Sequence, residues 1–213
     1  GTQTLYNFKS AVFVDIDLGN PFDDYIGTDS LRNLVYGYNA DANDEPTVGS
    51  AGYGVPVPAI GIITLEPVLE SGGKVEGTPN SPAAYWNLMN AMTVFGVPWN
   101  SNYLFMGNPY LFTGETEYEQ GLPPGDRRAI STIGHTLLAP EDEIVTTHAI
   151  IYAKGISNLE SVNQLYVVAD EIQNFCDGIS IACSGSLVGL ATNSELTATV
   201  SPNPSNGSFQ VKF

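Results

Sequence analysis

Basic residues are scarce in this chain: seven Lys and Arg stand against 23 Asp and Glu in 213 residues, a formal net charge of -16. Nucleic-acid binding is driven by cations that neutralise phosphates, so DNA, RNA and anionic membrane surfaces are poor partners. No stretch approaches the roughly 18 consecutive apolar residues that a membrane helix requires. Histidine is limited to His135 and His148 and cysteine to Cys176 and Cys183; neither a zinc-type CxxC pair nor HExxH occurs. Charged residues make up only 14%, whereas 22 Gly, 14 Pro and 11 Tyr suggest many turns and aromatic strand positions rather than long solvated helices. The apolar fraction is 43%, and a chain of this length can bury roughly 70% of its unfolded surface. Together these features point to an extracellular, β-rich protein.

The opening Gly1-Thr2-Gln3 reads as a mature chain or a fragment. In Ala11 to Asp17, Val12, Val14 and Ile16 fall on one face of a strand and Phe13, Asp15 and Asp17 on the other, so both acids point the same way. Further strands are expected at Leu31 to Tyr38 and Ala59 to Leu65, with loops between them. Ser81-Pro82 opens a short helix reaching about Thr93, because the hydroxyl caps orphan amides and proline needs no N–H at the first position. The stretch from Gly96 to Pro124 is a long excursion without a clear period. Arg128 to Leu138 and Ile144 to Ala153 flank an acidic turn and are expected to pair with each other, which makes His135 and His148 candidate cross-strand neighbours. Ser157 to Glu160 is a capping box, followed by a helix whose apolar face carries Leu159, Val162, Tyr166, Ala169, Ile172 and Phe175 and which ends at Asp177-Gly178. Short strands are expected at Leu187 to Leu190 and Leu196 to Val200. The expected fold is mainly β: an antiparallel β-sandwich, jelly-roll or immunoglobulin-like, with two peripheral helices, spanning residues 1–195 and followed by a separate β unit at 196–213.

The richest chemistry lies between Asp15 and Asp29. Asp15, Asp17, Asn20, Asp23, Asp24 and Asp29 offer the hard oxygen ligands that Ca²⁺ accepts in irregular geometry. Two like charges about 4 Å apart repel by roughly 4 kcal/mol at an effective dielectric near 20, so acids that converge need a metal or an arginine among them. The alternative is that Asp, Asn and Gly serve here as turn formers. Arg127 and Arg128 could hold a carboxylate ligand or neutralise the Asp-rich loop. Trp99 and Tyr103, in an aromatic-rich middle, could form a sugar- or peptide-binding platform, with core packing as the alternative. Glu115, Glu117 and Glu119 alternate and read as a solvated face. In an oxidising compartment a disulfide between Cys176 and Cys183 would close a short loop for roughly 2 to 3 kcal/mol; two free thiols are the alternative.

Asp17 to Asp29, Asn33 to Asp41, and Gly125 to Arg128 with Ile150 to Gly155 resemble large secreted surface proteins of Bacteroidetes. Val200-Ser201-Pro202-Asn203-Pro204 through Val211 resembles the opening of a type IX secretion C-terminal sorting domain. The resemblance implies recognition by the type IX translocon and the surface attachment machinery, and a location outside the cell or on its outer surface. It implies no particular activity. The function expected is a non-catalytic, secreted or cell-surface module, structural or adhesive, with a glycan or surface protein as possible ligand and calcium as a stabiliser; the alternative is a secreted hydrolase of glycans or peptides.

Overall fold

A computed structural model describes residues 1–75, 79–178, 199–201 and 210–212. The elements follow as β1 (Leu5–Ile16), β2 (Asp24–Asp29), β3 (Leu34–Asn39), β4 (Ala59–Glu66), β5 (Ser71–Val75), α1 (Pro82–Met89), β6 (Arg127–Leu138), β7 (Thr147–Ala153), α2 (Asn158–Gly178), β8 (Thr199–Ser201) and β9 (Gln210–Lys212). The architecture is mainly β and sandwich-like. One antiparallel sheet has the order β1-β6-β5 and the other β2-β3-β4-β7, while β8 and β9 pair antiparallel in a sheet of their own.

Strand alternation builds the layers. Val14, Ile16, Ile26, Val35, Leu69 and Ala129 meet between the two large sheets. The opposite face of the four-stranded sheet, with Leu34, Tyr36, Tyr38, Ile63 and Ile151, receives Val162, Leu165, Tyr166 and Ala169 of α2. On the outer face of the three-stranded sheet, Val75 and Ile130 pack against Leu88 of α1. The result is helix, sheet, sheet, helix. Helix α1 starts as its sequence dictates: the Ser81 hydroxyl accepts the Ala84 N–H at 3.2 Å, with proline in the first turn.

Three expectations are corrected. The two strands around the acidic turn do not pair; β6 lies between β1 and β5, and β7 is the edge beside β4. His135 therefore sits opposite Phe8 and His148 opposite Thr64, on different sheets. Strands β2 and β5 form in regions expected to be loops between the strands, β2 beginning and ending on aspartate and β5 carrying two adjacent glycines. Gly72 and Gly73 weaken β5 intrinsically, yet an added Cβ would lie 2.8 Å from Val35 and 3.0 Å from the Trp99 ring, so close packing requires glycine there. Phe175, assigned to the apolar face of α2, is exposed, and Leu165 is buried in its stead. The strand expected at Leu187 to Leu190 and residues 196–198 of the next lie outside the described residues.

Candidate metal centre and its surroundings

Asp15 and Asp17 are two residues apart at the end of β1, so the pleat sends both carboxylates to one side. Ile16 pairs with Arg127, which brings Asp126, the residue before β6, alongside them. Carboxylate oxygens of Asp15, Asp17 and Asp126 all lie within 4.8 Å of one another, and the three residues are exposed. Arg128 runs along the cluster, with Nη2 3.1 Å from Asp15 and Nη1 3.1 Å from Asp126. Partial desolvation, then the charges of Asp15 and Asp126, push the Asp17 carboxyl above the usual carboxylate range against the pull of Arg128. Three carboxylates and one guanidinium leave two negative charges, matching a divalent cation, and an all-oxygen donor set suits a hard one.

The other acids of the segment lie elsewhere. Asn20 donates from Nδ2 to Asp23 at 3.1 Å and accepts the Phe22 N–H at 3.2 Å. Asp24 is fully buried; its Oδ2 accepts the Leu18 N–H at 3.2 Å and its Oδ1 has no hydrogen-bond partner. Asp29 is bound to Arg32 at 2.6 Å, and Arg32 continues to Asp170 of α2 through two bonds of 2.8 Å. The predicted set thus splits, with only Asp15 and Asp17 in the cluster.

Two buried acids escaped the sequence reading. Asp44 is enclosed between the loop after β1, whose Asn20 N–H it accepts at 2.7 Å, and its own segment after β3, whose Tyr53 N–H it accepts at 2.6 Å. Gly19, at φ 75°, leaves room for it: an added Cβ would stand 1.6 Å from an Asp44 oxygen. The sole hint in the sequence is the Asp- and Asn-rich run from Asn39 to Glu45. Glu117, read as part of a solvated face, is fully buried. It accepts from Arg127 Nη2 at 2.8 Å, from the Ile26 N–H at 3.0 Å and from Lys74 Nζ at 3.4 Å. Arg127 is thereby committed to Glu117.

Tyr103 packs beside the inter-sheet core and its hydroxyl donates to the Leu69 carbonyl. Trp99 lies half-buried over β5 and also lines an open pocket. His135 Nε2 is 2.8 Å from the Ser10 hydroxyl, and His148 Nδ1 is 3.2 Å from the Thr64 hydroxyl. Burial holds His148 below the usual histidine range. Cys176 packs against the α2 core cluster, and its expected partner Cys183 lies outside the described residues. Among the described residues, no helix is long and apolar enough to cross a membrane. Comparison of the chain with known protein families, curated proteins and solved structures finds no match.

Proposed function

We propose that the protein is a non-catalytic, secreted or cell-surface module with a structural or ligand-binding role, stabilised by Ca²⁺ at Asp15, Asp17 and Asp126. The convergence of these three exposed carboxylates carries the reading. Asp15 and Asp17 flank Ile16, the last residue of β1, whereas Asp126 ends the long excursion that precedes β6. A cation shared among them fastens that excursion to the sheet and relieves their mutual repulsion. Three side chains fall short of the six to eight oxygens calcium takes, so water completes the shell. The role is mechanical, since Glu117 and Arg127 are spent on one another inside the fold. Export and surface attachment rest on the resemblance of the 200–211 segment to a type IX sorting domain.

Calorimetric titration and thermal melts test the metal. Calcium at a hundredfold excess over its Kd should stabilise the wild type by about 2.7 kcal/mol. Asp15→Ala/Asp17→Ala should abolish both the binding heat and that gain. Identical melting with calcium and with chelator removes the metal from the account.

A further inference from the structure

Four strands face three, and the mismatch leaves a step one strand wide. Among the described residues, β1 pairs with β6 alone and β7 with β4 alone. Val14 and Ile16 of β1 pack in one cluster with Ile60 of β4, so β7 lies beyond β1, with no described strand opposite it. We propose that the open edge of β1 takes up one extended peptide segment of another protein, apolar at alternate residues and without acidic ends, which pairs with Val12 to Ile16 and covers Ile150 and Tyr152 of β7. The inference depends on neither calcium nor export.

Ile151 and Ala153 turn to α2, which aims Ile150 and Tyr152 at the side of the sheet that the smaller sheet covers elsewhere. Ile62, the β4 partner of Ile150, is 7% exposed, whereas Ile150 and Tyr152 are 76% and 52% exposed. Cover therefore stops between β4 and β7. A cavity of about 310 Å³ occupies the step, and the chain of β1 borders it with the consecutive residues Val14 to Leu18 rather than with alternate ones. The edge of the strand thus faces the hollow, with its main-chain N–H and C=O groups.

These features select the occupant. Ladder groups beside an apolar floor call for main-chain hydrogen bonds and apolar side chains on one face, which a strand supplies and a lipid or a sugar does not. Val12 to Ile16 contains no proline, glycine or lysine, the residues that discourage pairing at an edge, and the irregular Asn7, at φ 50°, lies in the other half of β1. A second copy does not fit by pairing β1 with β1. The twofold normal to the sheet that such pairing requires would carry the second copy's β7, which projects one strand beyond its own β1, onto β4. Charge narrows the choice further: the described lining contains Asp15 and Asp17 and no basic residue, in a chain of net charge -16, so an acidic segment is repelled.

The test uses the full chain with a chelator, so that the acidic cluster carries no metal. The probe is the peptide acetyl-Lys-Val-Thr-Val-Thr-Val-Lys-amide, with a counterpart bearing Glu in place of each Lys. The basic probe should bind one to one, move the amide resonances of Val12 to Ile16 saturably, and bind at least about tenfold more tightly than the acidic one. N-methylation at the Val residues blocks one edge of the probe and at the Thr residues the other, so one of these peptides should lose binding and the other keep it. Ile150→Asp, at an exposed position, should weaken the basic probe about tenfold without moving the melting temperature. No saturable binding overturns the proposal, as does equal affinity for the basic and acidic probes. Two N-methylated probes that behave alike, or binding that Ile150→Asp leaves unaltered, also overturn it. So does slow hydrogen exchange at the outward amides of Val12 to Ile16 before peptide is added, because another part of the chain or a second copy then already holds that edge.

Discussion

Asp24 shows what single residues contribute. Burial pushes its carboxyl from 3.8 up to about 8, with the charges of Asp23, Asp44 and Asp17 adding to the shift and the Leu18 N–H opposing it. The folded state therefore holds this proton more tightly than the unfolded chain does. The group's contribution to stability is fully present below its unfolded pKa and falls as pH rises toward about 8, at no more than about 1.4 kcal/mol per pH unit. Asp24→Asn should flatten that slope: with chelator present, the variant should melt above the wild type near about pH 8.5, and the gap should close toward about pH 5. Parallel pH profiles for the two proteins would show that another group is responsible. Glu117 teaches the complementary point. Its alternation with Glu115 and Glu119 suggests a wet surface, yet its partners lie 10 residues away at Arg127 and 43 away at Lys74, and only their arrival makes burial tolerable.

Among the elements, α1 and α2 take their starts from their caps because helix signals are local, although α1 ends at Met89, short of the Thr93 expected for it. The exception within α2 is which residues face inward at its edges. Leu165 meets the sheet where Gly61 removes a side chain, an added Cβ there lying 3.2 Å from Leu165. Leu165→Ala should cost roughly 2 to 5 kcal/mol in urea unfolding, since the helix cannot collapse onto a flat sheet without leaving a void. A loss under about 1 kcal/mol would mean that α2 does not depend on this contact. Strand pairing is less local. The alternation of β6 suits either sheet, and its nearness in sequence to β7 suggests a hairpin, but β1 matches its 12-residue length and takes the pairing edge. β2 and β5 are strands because neighbours supply ladders: Tyr25, Ile26 and Thr28 favour β2 between aspartates and a glycine that read as turn, whereas Ser71–Val75 has little strand propensity of its own.

Across the whole molecule, stability should be graded by layer. β3 and β4 are central in the four-stranded sheet and covered on one face by α2 and on the other by the inter-sheet core. Their amides should exchange hydrogen only through global unfolding, whereas the first half of β1, with exposed Leu5 and Tyr6, should exchange faster. Uniform exchange across these strands would contradict the layered order. The amino-acid sequence by itself determined the β-rich class, the helix starts, the inward face of β1 and the common direction of Asp15 and Asp17, because each is set by backbone periodicity over a few residues. Only the tertiary structure decided that β6 and β7 belong to different sheets, that Asp126 joins the acidic cluster, and that Glu117 is buried. Those outcomes depend on contacts between distant segments, where burial and charge pairing select one partner from several that local pattern permits equally.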